Sequence, residues 1–302
     1  MEKCFGKEGT IKLFRYIIIY AEYFCCRYFW KILRCFHFIS KSYCSEKKLT
    51  VEYKKREKFT HLQELKRSQL YWKNKIINPK RVVYTTITGN YDFLIIHKFL
   101  DVYSDYICFT DNYELLNKKR IGPCVITPLI YNCLDNTRNA RWHKIHAEEL
   151  FFNYEVSIWI DGNVDILNDA LFIEFDNLYN EGSVLSIPLH YERDCVYEEC
   201  DACIQECKDN RDIIEVQKSI LKERHYPQHY GLHETFIIYR KHHDEYVKKI
   251  MSDWWFWVKN YSKRDQLGFD VSLWQNNFHI PSLSGGALRF RDELVSFVSH
   301  ER

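Results

Sequence analysis

Three oxygen-bearing side chains stand close together after a short apolar run. Val156 to Ile160 is followed by Asp161-Gly162-Asn163-Val164-Asp165. The run is β-branched and aromatic and too short for a core helix, so it reads as a buried strand. Gly162 lets the backbone turn just past the strand end. Asp161, Asn163 and Asp165 gather hard oxygen donors, which suit Mg²⁺ or Mn²⁺ completed by water and substrate phosphates. Ligands of open α/β sheets bind outside the carboxyl ends of the strands. A metal and a phosphorylated ligand are therefore expected here, although an ordinary Asp-Gly turn would have the same tripeptide.

Ahead of this loop, Asn136 to Phe151 reads as one amphipathic helix. Arg138, Arg141 and Lys144 recur along one side of it at i, i+3 and i+6. A basic ridge next to an acidic loop suits a diphosphate between them; taken singly, each residue also fits a solvated helix face. Asp265 falls in the first turn of a later helix, where the dipole favours a carboxylate, and it is equally placed to be a base. His190 ends an apolar run and is a candidate ligand contact, a position where most histidines are neither ligand nor contact.

The elements that must carry these residues alternate. Arg81 to Ile87 reads as a first buried strand, closed by the small polar loop Thr88-Gly89-Asn90-Tyr91-Asp92. Such a loop opens the nucleotide sites of α/β folds, but it is neither a dinucleotide fingerprint nor a P-loop. Asp105 to Thr110 is a second strand, stopped by Asp111-Asn112, and Val125 to Leu129 a third. Residues 169–179 read as a helix, 183–190 as a strand, 231–240 as a loop entering a strand, and 242–257 as a helix. Strands that alternate with helices predict a mostly parallel sheet. The tail from Ser284 onward reads as a flexible exit. Cys200, Cys203 and Cys207 fit a helical core stripe better than a metal-cluster loop. Trp254, Trp255 and Trp257 read as core packing before a sugar platform.

Hydrophobic residues make up 46% of the 302, enough for a substantial core. Net charge is +2, which gives no nucleic-acid signature. Twelve cysteines are scattered with no secretory leader pattern, so a reducing cytoplasm is expected rather than a disulfide framework. Residues 12–36 combine one aliphatic and aromatic half with Arg15, Glu22, Arg27, Lys31 and Arg34 on the other. That is too charged for a span and fits a helix lying on an anionic membrane surface, or one packed on the protein itself. Residues 45–80 read as a polar connecting helix, with the domain boundary at Asn78-Pro79, giving an extension over 1–80 and a domain over 81–302.

The order of several stretches resembles the DUF616 group, the TOD1/MUCI70 glycosyltransferase-like domain. They are Tyr84 to Asp92, Cys108 to Asp111, Asn139 to Lys144, Ser157 to Asn163, His190 with Arg193 to Cys195, Gly231 to Glu234, and Arg264 to Gln266. The resemblance spans about residues 81–276 and implies a GT-A-like, Rossmann-like fold: a mostly parallel mixed sheet flanked by helices. It implies a hexosyltransferase-like enzyme using a nucleotide-sugar donor and a DxD-type metal loop, here Asp161-Gly162-Asn163 with Asn in the third position. By that resemblance Thr86, Gly89, Asn90, Tyr91 and Asp111 would hold the nucleotide. Arg138, Arg141 and Lys144 would neutralise its diphosphate, with His190 as a further contact. Asp161 and Asn163 would carry Mn²⁺ or Mg²⁺, and Asp265 or Glu234 would be the base or the sugar-orienting carboxylate. The acceptor would be a glycan or lipid-linked glycan of surface polysaccharide or lipopolysaccharide type, met at the inner face of the cell membrane. The alternatives are a metal-dependent hydrolase of a membrane lipid and a non-catalytic sugar- or nucleotide-binding protein.

Overall fold

The structure, a computed structural model, describes residues 46–289 and 291–299, with side chains from Thr60 onward. The amphipathic segment expected at 12–36 lies outside the described residues. The chain divides into two units, residues 1–63 with 299–302, and residues 64–298. Of the first, the described part is the start of helix α1 (Glu46–Asn74). The second unit begins ahead of the boundary expected at Asn78-Pro79, because the end of α1 is core. Tyr71 is buried and donates to the carbonyl of Ser104 at 2.8 Å.

After α1 come β1 (Arg81–Ile87), β2 (Ser104–Thr110), α2 (Tyr113–Lys118), β3 (Arg120–Ile121), β4 (Cys124–Pro128), α3 (Asn136–Ile145), α4 (Ala147–Leu150), β5 (Val156–Ile160) and β6 (Val164–Ile166). They are followed by α5 (Ala170–Asn180), β7 (Leu185–Ser186), α6 (Val196–Gln205), α7 (Arg211–Glu223), β8 (Ile237–Lys241), α8 (Glu245–Asn260), α9 (Gln266–Gln275) and β9 (Val295–Phe297). Seven strands form one sheet in the order β3-β4-β2-β1-β5-β8-β7. Its centre, β4-β2-β1-β5, is parallel, while β3, β8 and β7 pair antiparallel to their neighbours. This is the expected mostly parallel mixed sheet. The loops after β1, β2, β4 and β5, and the segment entering β8, therefore meet at one edge.

Both faces of the sheet are buried, as parallel sheets require. Alternate side chains point to opposite faces. Val83, Ile158 and Ile160 pack with Phe172 and Phe175 of α5 and with Leu288 and Val295 of the C-terminal segment. Val82, Tyr84 and Trp159 pack with Trp254 of α8 and Phe269 of α9.

Three expectations change. The single helix over 136–151 breaks at His146, because buried Arg240 donates to the carbonyls of Lys144 and Ile145, both at 2.9 Å, and occupies acceptors a continuing helix would use. The strand over 183–190 shrinks to Leu185–Ser186 with isolated bridges at Ile187 and Leu189, since Pro188 has no N–H to give. The tail is no flexible exit: Leu283, Leu288, Leu294 and Val295 are buried, and β9 pairs with β6. The cysteine stripe holds for Cys200 and Cys203, which are buried on α6. Cys207 lies past the helix end and is exposed.

Candidate active site

The centre of the site is Lys144. It reaches from the last turn of α3 to the loop after β5 and is fully buried. Its ammonium lies 2.6 Å from Asp265 Oδ2, 3.3 Å from Asp161 Oδ1 and 3.0 Å from Thr235 Oγ1. The Thr235 hydroxyl in turn donates a hydrogen bond to Asp265 Oδ2 at 2.8 Å. Arg141, one turn earlier on α3, places Nε 3.1 Å from Asp265 Oδ1; its N–H is not aligned for a hydrogen bond, so this contact is an ion pair. Two members of the expected basic ridge thus converge on one carboxylate.

Asp265 stands just before α9 and is 2% exposed. Burial opposes its ionisation, but Arg141, Lys144 and Arg264 outweigh burial and hold its carboxyl well below the usual range. For Lys144, burial pulls the ammonium down while Asp161 and Asp265 oppose it. A carboxylate bonded this completely is a poor proton acceptor. Its geometry is that of an anchor holding two cations at the sheet edge.

Asp161 is more open, with about a quarter of its side chain exposed. The indole of Trp159 donates to Oδ1 at 2.6 Å, the same oxygen that Lys144 approaches. Oδ2 carries no hydrogen bond among the described residues. Asp92 stands across Gly162, where a Cβ would lie 3.2 Å from Asp92 Oδ2. Asp165 leaves the loop instead of completing it. In β6 it accepts the backbone N–H of Lys98 at 2.9 Å and faces His97. No three His, Cys, Asp or Glu side chains gather as a metal-binding group among the described residues. One open carboxylate oxygen on Asp161 fits a divalent cation that arrives with phosphate oxygens and water, rather than one held by protein ligands alone.

The β1 loop lies at the same edge. Gly89 donates its N–H to both oxygens of Asp111, each at 3.0 Å, and its φ of +60° is one that glycine adopts without strain. Asn112 donates to Asn90 Oδ1 at 2.7 Å, which ties the loops after β1 and β2 together. Thr88 donates to the carbonyl of Asn136 at the start of α3. Thr86 is buried within β1 with its hydroxyl unpartnered, while Tyr91 is partly exposed beyond the turn.

Two expected contacts are engaged elsewhere. Arg138 donates to the carbonyls of Val258 and Tyr261 at the end of α8, at 2.9 and 2.5 Å, and pairs with Asp135. It ties α3 to α8 rather than facing the edge. His190 accepts the N–H groups of Glu192 and Arg193 on Nδ1 and points Nε2 at Glu199, 3.7 Å away. Its ring closes a turn.

The segment entering β8 alternates its side chains. Thr235 and His233 face α9, and Glu234 faces away. Asp270, itself buried, accepts both the N–H of His233 at 2.9 Å and its Nδ1 at 2.6 Å. An ionised carboxylate only accepts, so those bonds put a proton on Nδ1 and fix the orientation of the ring. This oriented histidine was missed, because the two residues are 37 positions apart and neither carries a local pattern. Glu234 is 2% exposed and bonded through Oε1 to Arg289, 2.8 Å from Nε and 2.7 Å from Nη2. Its Oε2 is buried and has no partner among the described residues. Burial pushes this carboxyl up, and Arg289 opposes the shift.

A family model described as TOD1/MUCI70, glycosyltransferase-like domain, matches residues 73–282. No curated protein matches the chain. Among solved structures, mouse xyloside xylosyltransferase 1 in its apo form is similar at 9% identity and a TM-score of 0.38, over 68% of this chain and 85% of that one. The mannosyltransferase Ktr4p from S. cerevisiae is similar at 12% identity and a TM-score of 0.37, over 70% of this chain and 74% of that one. Superpositions this loose carry no argument about chemistry.

Proposed function

The chain belongs to the TOD1/MUCI70 glycosyltransferase-like domain family, and from that premise we propose that it transfers a sugar from a nucleotide-sugar donor to a hydroxyl of a glycan or lipid-linked acceptor. The observation that carries this reading is the cluster of Lys144, Arg141, Asp265, Thr235 and Asp161 at the carboxyl edge of the sheet. Next to it is the loop Thr88 to Asp92 with Asp111, where the nucleotide would lie. Asp161 and Asn163 would hold Mn²⁺ or Mg²⁺ together with the diphosphate. When bound, that cation would serve as a Lewis acid for the departing nucleotide.

The protein's own groups would do the rest. Lys144 and Arg141 supply fixed positive charge beside the diphosphate, and Asp265 keeps both from drifting. A preset charge of this kind needs no reorganisation as the leaving group gains negative charge. Glu234 would take the proton of the attacking hydroxyl, or fix a hydroxyl of the sugar, through Oε2. As the acceptor oxygen bonds to the anomeric carbon, the bond from that carbon to the phosphate oxygen breaks, and the electron pair leaves on the diphosphate. Residues 12–36 would bring the domain to a membrane surface on the cytoplasmic side, where a lipid-linked acceptor is met. Among the described residues no helix is long and apolar enough to cross a membrane.

The test is thermal stabilisation by UDP, GDP and their sugar conjugates, with and without Mn²⁺. A ligand that binds only the native state raises the melting temperature. We expect a Mn²⁺-dependent rise with one nucleotide series, lost in Asp161→Ala while the unliganded melt is kept. A wild-type protein that no nucleotide stabilises would sink the transferase reading.

A further inference from the structure

The C-terminal segment lies beyond residue 282, where the family match ends, yet it meets the site in two places. β9 pairs with β6 immediately after the Asp161 loop, and Val298 donates its N–H to the carbonyl of Asn163 at 2.8 Å. Ahead of β9, Arg289 is held against Glu234. Nε donates to Oε1, and Nη2 forms an ion pair with the same oxygen. The rings of Phe297, Tyr191 and Phe236 surround the guanidinium, with centroids 4.7, 5.1 and 5.9 Å from its central carbon. This packing fixes the side chain, and the charge-assisted bond from Nε then holds the carboxylate by Oε1. Glu234 is buried, and its second oxygen has no partner among the described residues. Of the buried side-chain atoms left unpartnered among those residues it is the one carboxylate oxygen, the kind of acceptor that costs most to leave without a donor.

We propose that Arg289, contributed by the C-terminal segment, is a positioning residue that holds Glu234 by one oxygen so that the other, Oε2, accepts a substrate hydroxyl. The identity of that hydroxyl rests on the transferase reading; the coupling of Arg289 to Glu234 does not. The other charged groups acting on Glu234 are Arg193, which favours its ionised form, and Glu199, which opposes it. Arg193 and Glu199 are bonded to each other at 2.8 Å, and His190 lies against both. Burial already favours a protonated Glu234, and Arg289 is the main group working against it. Loss of Arg289 therefore lets Glu234 take up its proton at higher pH.

The experiment is a ¹³C NMR titration of the Glu234 carboxyl in the full chain, assigned by its disappearance in Glu234→Gln. It is repeated in Arg289→Met and Arg289→Lys. We expect the Glu234 titration to move to higher pH by about one to three pH units in Arg289→Met, the usual influence of an adjacent guanidinium on a carboxylate. Arg289→Lys should return part of the way. An unmoved titration in a folded Arg289→Met would overturn the proposal. Affinities of the same proteins for UDP-sugars and GDP-sugars, relative to UDP and GDP, separate the two sources of the hydroxyl. If Glu234→Gln erases the preference for the sugar conjugate, Oε2 binds a hydroxyl of the donor sugar. If donor binding is kept while turnover falls at least tenfold, it binds the acceptor. Glu234→Gln that changes neither binding nor turnover overturns the acceptor role of Oε2. If the titration moves but no nucleotide binds the wild type, the coupling stands, while the transferase reading and the hydroxyl role fall together.

Discussion

Asp265 is the residue on which the charges of the site balance. Removing its charge would leave Lys144 and Arg141 pointing at a neutral amide in a buried place. Breaking a buried pair by deleting one partner typically costs about 3–5 kcal/mol, more than a surface pair ever does. Asp265→Asn should lower the stability of the domain by that order in urea unfolding, and equal stability of the two proteins at pH 7 would refute the anchor role. The pH dependence follows from the same group. Its folded carboxyl titrates below the ordinary value of 3.8, so the unfolded chain binds the proton first as pH falls. The stabilisation is present in full above that value and is lost progressively as pH falls from there through the lower folded value. The wild type should therefore lose melting temperature steeply below about pH 4, and Asp265→Asn should lack that part of the slope. Asp161 was legible at this scale, since an apolar run ending in Asp-Gly advertises itself. The orientation of His233 by Asp270 and of Glu234 by Arg289 was not, since each pair is assembled across the fold.

At the scale of elements, α8 and α9 decide where Asp265 sits. Trp254 of α8 donates its indole N–H to the carbonyl of Asp265 at 2.8 Å and packs edge-on against Phe269. The two helices touch at Gly268, where a Cβ would stand 2.6 Å from Trp257 Cβ. Two effects compete in Gly268→Ala. Alanine gains about 1 kcal/mol of helix propensity, but overpacking a tight contact typically costs about 1–3 kcal/mol. Trp257 is buried and its Cβ cannot swing aside, so the clash wins. The variant should melt at lower temperature and bind nucleotide more weakly, through displacement of Asp265 and with it Lys144. A variant more stable than the wild type would show that the helices can separate freely. Arg138 also belongs to this scale. Helical spacing placed it on the same ridge as Arg141 and Lys144, yet its guanidinium serves the exposed carbonyls at the end of α8, where a cation suits the helix dipole. Periodicity gives the face of a helix but not the neighbour that face meets.

At the scale of the molecule, the domain does not end where the family match ends. Leu283, Leu288, Leu294 and Val295 all lie in the core under α5. Full burial of an aliphatic side chain contributes about 1.5–3 kcal/mol, so four of them rival the roughly 5–15 kcal/mol that holds a whole domain together. A chain ending at residue 282 should fail to fold, or melt far below the full chain when followed by circular dichroism. A cooperative melt close to that of the full chain would contradict this account. By itself the sequence determined the parallel centre β4-β2-β1-β5 and the edge where chemistry gathers, because periodicity, strand length and turn residues are local properties. It also carried Asp161, Arg141 and Lys144, each placed by a strand end or a helical ridge. Only the tertiary structure decided that Asp265 anchors cations, that Asp165 and Arg138 serve the scaffold, and that the tail delivers Arg289 to Glu234. Those roles depend on which partner occupies each polar atom, and the partners come from segments that only the folded sheet brings together.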